Sequence, residues 1–130
     1  MHPPSKLLRG LLLLVSAFFL TMATAHFLGL KYPLLFVYFD TPYYAYQDRI
    51  IAATLVPYAI MFFATSRHKL LLPYVLVALW ITILGLSYIN QSAELALVLD
   101  GQSTWAYWLQ TAAFAVLALI LTLLTIKEKP

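Results

Sequence analysis

Six side chains in this sequence carry groups that could do chemistry, and we treat them as candidates for one ligand-binding face. They are a histidine, three acids, an arginine and a tyrosine: His26, Asp40, Tyr44, Asp48, Arg49 and Glu94. A histidine beside a carboxylate can act as an acid/base pair, ligate a metal or hold a polar head group. No nucleophile elbow, zinc-binding helix or phosphate-binding glycine loop accompanies them, so we assign no catalytic residue.

His26 has two interpretations. In the structural one it is hydrogen-bonded to a neighbouring helix or loop. In the functional one it joins Asp40, Asp48 or Glu94 as a metal site or an acid/base pair. No HxH, HxxxH or HxxE spacing supports a metal. His26 and His68 are expected at opposite ends of the helices, which makes bis-histidine haem ligation poor geometry. We therefore predict no metal and no cofactor.

Asp48 and Arg49 are neighbours, and adjacent helical residues point about 100° apart, so they do not simply pair with each other. The partners available are Lys31 or His26 for Asp48, and Asp40, Glu94 or Asp100 for Arg49. These contacts could pin the loop, or Arg49 could bind an anionic lipid head group.

The composition indicates that lipid is the solvent for much of the chain. Of its 130 residues, 63% are hydrophobic and 10% are charged, whereas a soluble domain carries about 25% charged residues. We predict a single integral membrane domain over residues 1–130. The net charge of +3 reflects basic residues at span ends rather than a nucleic-acid surface, and the lack of cysteine excludes thiolate chemistry.

Four apolar stretches predict the fold class, an all-α, four-span transmembrane helical bundle. The predicted spans are residues 11–30, 42–66, 70–89 and 105–126, each long enough to cross a hydrocarbon core about 30 Å thick. For the second span we predict Thr41 as the N-cap, Pro42 as the first helical residue and a kink at Pro57. A short helix is predicted over 92–99, stopped by Gly101.

The first span has an alternative, because Ala23-Thr24-Ala25 resembles a signal cleavage site. The apolar run continues past it to Leu30, which is longer than the usual signal core of about 7–15 residues. We favour a retained helix, ended by Lys31 and Pro33. Cleavage would leave three spans.

The distribution of Lys and Arg predicts the orientation. Six basic residues fall on the side of the termini and two on the other: Lys6, Arg9, Arg67, Lys69, Lys127 and Lys129 against Lys31 and Arg49. We predict that the protein lies in the inner (plasma) membrane of a bacterium and that both of its termini are cytoplasmic.

The outer side is predicted to carry an aromatic-rich cap formed by loops 31–49 and 90–104. The first loop alone holds five of the nine tyrosines. An aromatic belt explains rings at the head-group level, but belts usually occur at both interfaces, and here the cytoplasmic side has only Tyr74 nearby. The cap is either a packed belt or a binding surface.

The interiors of the spans contain no Asp, Glu, Lys, Arg or His over 11–25, 50–64, 70–89 and 105–126. Proton-coupled carriers, pumps and voltage sensors need such groups at membrane depth. An oligomeric channel or carrier stays as a third hypothesis, although no span shows a polar stripe that would line a pore.

Two stripes of small residues motivate the leading functional hypothesis. They are Ala17, Thr21, Ala25 and Gly29 on the first span, and Thr111, Ala115, Ala118, Thr122 and Thr125 on the fourth. Such stripes let helices approach closely, so we expect a non-enzymatic accessory, assembly or scaffolding subunit whose partners are membrane lipid and another membrane protein or a second copy.

The second hypothesis is an outer-leaflet protein that binds a lipid or quinone-like molecule, or a membrane enzyme acting on one, through His26, Asp40, Asp48 and Arg49. Convergence of these side chains around a cavity would favour this hypothesis, and divergence would favour the scaffold.

Overall fold

The computed structural model describes residues 3–30 and 44–128, and this part of the chain is all-helical. Its α-helices are α1 (Lys6–Leu28), α2 (Tyr44–Arg67), α3 (Leu72–Asn90), α4 (Ala93–Leu99) and α5 (Trp105–Ile126), with a 3-10 turn at Lys69–Leu71. Four stretches are long and apolar enough to cross a membrane: α1, α2, α3 with its preceding turn, and α5. The predictions for Thr41, Pro42 and most of loop 31–49 lie outside the described residues.

Helix α1 begins five residues before the predicted span and ends two residues before its predicted end. Its end is a glycine cap: Gly29 has φ +65°, and its N–H donates to the His26 carbonyl. The Leu30 N–H donates to the Ala25 carbonyl at 2.9 Å. This pair of bonds is a Schellman motif, so Gly29 ends the helix before Lys31 and Pro33 are reached.

Three residues, 67–69, separate the second and third predicted spans, and the turn between α2 and α3 is correspondingly tight. The His68 N–H still donates to the Ala64 carbonyl at 3.0 Å, and the 3-10 turn begins at the next residue. Pro73 lies in the first turn of α3, where its missing N–H needs no partner. Pro57 lies inside α2, which continues through it; the kink expected there stays a prediction.

Helices α4 and α5 lie close to the ranges predicted from the sequence. The Ser92 side chain accepts from the Leu95 N–H at 3.2 Å and caps α4. The chain then leaves the helix through Asp100 and Gly101, both with positive φ. Helix α5 covers the predicted range of the fourth span.

The helices pack as two antiparallel pairs, α1 with α2 and α3 with α5. Phe19 of α1 joins the pairs, because its ring stacks on Tyr58, Phe62 and Phe114 at centroid distances of 5.5, 5.4 and 5.9 Å. Offset aromatic pairs of this kind add about 0.5–1.5 kcal/mol each beyond area burial.

The two small-residue stripes have different environments. Thr111 and Ala118 of the α5 stripe are buried, and Trp80 of α3 donates its indole N–H to Thr122 at 3.3 Å. On α1 only Ala25 is buried, while Ala17, Thr21 and Gly29 are exposed. The α5 stripe therefore packs against other helices of the bundle, whereas most of the α1 stripe lies on the surface of the bundle.

The bundle has two chemically different ends. At the terminal end, where α1 begins and α5 finishes, the Ser5 N–H lies 3.1 Å from both carboxylate oxygens of Glu128. The opposite end, called the site end below, holds the end of α1, the start of α2, the end of α3, α4 and the start of α5. An even number of long helices brings the beginning of α1 and the finish of α5 to the same side.

Candidate functional site

A buried histidine–aspartate pair joins α1 to α2 at the site end. His26 Nδ1 lies 3.0 Å from Asp48 Oδ1, and the two side chains are 8% and 10% exposed. When Asp48 is ionised its oxygens can only accept, and the bond then requires the His26 proton on Nδ1. Lys31 and His26 were the two predicted partners of Asp48, and the structure brings His26 into contact with it.

The second oxygen of Asp48 is the unusual feature of this pair. Oδ2 is buried and has no hydrogen-bond partner among the described residues, 3–30 and 44–128. A buried acceptor left unpaired destabilises a fold by about 1–3 kcal/mol, and more when it carries charge. Such an atom therefore marks a place where a donor would be stabilising.

The pair lies on the wall of a cavity of about 690 Å³ to which all five helices contribute. The side chains that can hydrogen-bond near the site end are His26, Gln47, Asp48, Tyr88, Asn90, Ser92, Glu94, Tyr107 and Gln110. Large apolar side chains make up most of the remaining wall, among them Phe19, Met22, Ile51, Leu55, Leu86 and Phe114.

Polarity changes with depth in the cavity. Phe19 precedes His26 by seven residues on α1, and Tyr58 follows Asp48 by ten on α2; at 1.5 Å per residue these are offsets of about 10 and 15 Å. Near this depth the Tyr58 hydroxyl lies 2.6 Å from Thr82 Oγ1, joining α2 to α3. The cavity thus has a hydrogen-bonding part at the site end, called the mouth here, and a largely apolar interior.

A second polar pair joins α3 to α5 at the same end. The Asn90 amide donates to Thr111 Oγ1 at 2.9 Å, and that hydroxyl donates to the Tyr107 carbonyl at 2.9 Å. Both Asn90 and Thr111 are buried. Asn90 lines the cavity and Thr111 does not, so the pair holds α3 and α5 together beside the cavity.

The predicted site residues divide into three groups. His26, Asp48 and Glu94 all line the cavity, with Glu94 exposed. Arg49 is exposed and does not belong to the cavity lining, so a role for it in binding head groups stays a prediction. Asp40 lies outside the described residues, and of Tyr44 only the backbone, at the start of α2, is described.

Sequence reasoning missed the polar residues that α3 and α5 contribute, above all Asn90, Thr111 and Gln110. One signal was available: Asn90 ends an apolar span at the level expected for His26. Thr111 was assigned only to a packing stripe, because a threonine in an apolar helix usually bonds its own backbone. Here it does so and also accepts from Asn90.

The arrangement can bind and orient a polar group and accept a proton from it. The residues that the structure describes include no group of three His, Asp or Glu side chains able to hold a metal ion. No protein-family model, curated protein or solved structure matches this chain. The case for a function therefore rests on the geometry of this cavity.

Proposed function

We propose that this protein binds an amphiphile of the membrane, with the polar head at the His26–Asp48 pair and the apolar part in the cavity. The observation that carries the proposal is a buried ionisable pair on the wall of a cavity of about 690 Å³. Cavities that hold small ligands measure about 300–1,000 Å³ and combine apolar walls with a few placed polar groups. Of the four side chains whose convergence was predicted to favour this hypothesis, His26 and Asp48 line one cavity, Arg49 does not, and Asp40 lies outside the described residues. The contact between His26 and Asp48 on the cavity wall supports the proposal.

The proposal includes an orientation in which the site end faces the outer leaflet of a bacterial inner membrane. Of the described basic residues, five lie near the terminal end, namely Lys6, Arg9, Arg67, Lys69 and Lys127, and Arg49 lies at the site end. The positive-inside rule then places the terminal end in the cytoplasm. Reporter fusions at either terminus test this, and a periplasmic signal would overturn it.

Binding is tested by a substitution on one wall that places a larger side chain inside the cavity. Leu86 lines the cavity, whereas Leu84 on the same helix is 68% exposed. We expect Leu86→Trp to lose the amphiphile that copurifies in mild detergent, because the indole occupies its volume. Native mass spectrometry measures the bound mass.

Leu84→Trp is the matched control and should keep the bound amphiphile. An L86W protein that retains the ligand at the wild-type level, or a wild type that carries none and gains no thermal stability from membrane lipid extract, would contradict the proposal.

A second candidate function, a subunit that packs against another transmembrane helix, is favoured by the exposure of Ala17, Thr21 and Gly29. We expect Thr21→Leu to remove the complex seen by crosslinking in native membranes, because close helix approach needs small residues. Ala112→Leu, at an exposed position of α5 outside its stripe, is the control. Equal crosslinking by both variants would rule this function out.

A further inference from the structure

The charge of the cavity lining restricts which head group can enter. Among the described residues that line it, the acids are Asp48 and Glu94, and none is Lys or Arg. Phosphate and carboxylate heads are normally held by Arg, Lys or clustered donors. In this cavity an anionic head would meet two carboxylates instead.

The hydrogen-bond character of the wall restricts the head further. Asp48 Oδ2 is a pure acceptor when ionised, it is buried, and it lacks a partner in the described part of the chain. A head that can only accept, such as an ether or a ketone, leaves this oxygen unsatisfied. A donor satisfies it and removes the penalty of an unpaired buried acceptor.

An uncharged donor fits better than a cationic one. His26 already lies 3.0 Å from the other oxygen of Asp48, and Glu94 is exposed to solvent. An ammonium group would have to be desolvated beside the buried His26–Asp48 pair, which costs far more than burying a hydroxyl. A hydroxyl can both donate and accept, whereas an ammonium has no acceptor to offer to the amides of the cavity lining, such as those of Gln47 and Gln110.

We infer that the amphiphile bound in the cavity carries a hydroxyl head, such as a long-chain alcohol or a phenolic ring, which donates to Asp48 Oδ2. This inference rests on the proposed function and specifies its ligand class. It predicts that the cavity distinguishes ligands by whether the head group donates or only accepts a hydrogen bond, and not by the length of the tail.

The experiment compares four ligands that share one tail: hexadecanol, its methyl ether, hexadecylamine and hexadecyl phosphate. Each is offered to the full-length protein in mild detergent, and native mass spectrometry measures the bound fraction. We expect the alcohol to bind about tenfold more tightly than the ether, equivalent to about 1.4 kcal/mol. The amine and the phosphate should bind more weakly than the alcohol.

The variant Asp48→Asn tests the assignment to one oxygen. Its amide can keep an oxygen toward His26 and then places an N–H donor where Oδ2 was, so the ether becomes an acceptable ligand. The alcohol-to-ether ratio should fall to about twofold or less. Asp100→Asn makes the same chemical change at an exposed acid that does not line the cavity, and it should keep the wild-type ratio.

The outcomes separate this inference from the proposed function. Equal binding of alcohol and ether by the wild type overturns the hydroxyl inference and leaves amphiphile binding standing. Preference for the amine or the phosphate also overturns it, as does an unchanged ratio in D48N. Failure of all four ligands to bind overturns both proposals. The wild-type ratio decides the head-group class by itself, so the test holds even where D48N does not fold.

Discussion

Two buried polar pairs lie at the site end, and they differ in whether a buried polar atom is left without a hydrogen-bond partner. Asn90 and Thr111 join α3 to α5 with neutral groups, and the Thr111 hydroxyl both accepts from Asn90 and donates to a backbone carbonyl. His26 and Asp48 join α1 to α2 with ionisable groups, and Asp48 Oδ2 has no partner in the described residues. The first pair is explained by helix packing alone, whereas the second has bonding capacity left for a ligand.

The largest expected effect comes from breaking the ionisable pair at the histidine. His26→Ala leaves Asp48 as a buried carboxylate without the contact to Nδ1, and removing one partner of a buried pair destabilises by about 3 kcal/mol or more. Thermal unfolding in detergent measures the loss. His26→Asn is the control, because its amide can donate near the position of Nδ1, and it should be clearly more stable than H26A. Equal stability of H26A and the wild type would show that the pair is not buried as described.

A smaller effect is expected at the neutral pair. Asn90→Ala removes one interhelical hydrogen bond, and such bonds contribute about 0.6–2 kcal/mol in membrane proteins. The Thr111 hydroxyl keeps its bond to the Tyr107 carbonyl, so no buried donor is stranded. We expect N90A to retain bound amphiphile despite its lower thermal stability. Loss of the ligand in N90A with little loss of stability would reverse the roles assigned to the two pairs.

The smallest effect is expected at the exposed acid of the cavity. Glu94 lines the mouth but is solvent-exposed, and exposed charges contribute about 0–1 kcal/mol. Glu94→Gln should therefore leave thermal stability unchanged and alter ligand retention by less than about twofold. An alcohol-to-ether binding ratio that falls in E94Q as far as in D48N would move the binding group from the buried acid to the exposed one.

The helices were largely predictable because span length and hydropathy are local properties of the chain. The range of α5 matches its prediction, and α4 (Ala93–Leu99) differs from its predicted range of 92–99 by one residue, with Gly101 two residues past its end. The prediction that Lys31 and Pro33 end α1 is wrong by two residues, because the Gly29 cap ends the helix at Leu28. Glycine can adopt the left-handed conformation that a helix cap requires, and it comes first in the chain.

The candidate site was predictable only in part. His26 and Asp48 stood out as ionisable residues at the edges of apolar spans, where burial is costly. Their pairing could not be distinguished from a pairing of Asp48 with Lys31, because the choice depends on how α1 and α2 are rotated about their axes. Asn90 and Thr111 carry no charge and gave no comparable signal.

By itself the sequence determined four apolar helices, their order, and the restriction of charged residues to the ends of these helices, since each follows from the water-to-lipid transfer energy of a short segment. Only the tertiary structure decided which side chains meet. Stacking of Phe19 on both helix pairs accompanies the packing that buries His26 against Asp48 and leaves a cavity beside them. Contacts between residues far apart in the chain depend on the joint packing of all the helices, which no single segment encodes.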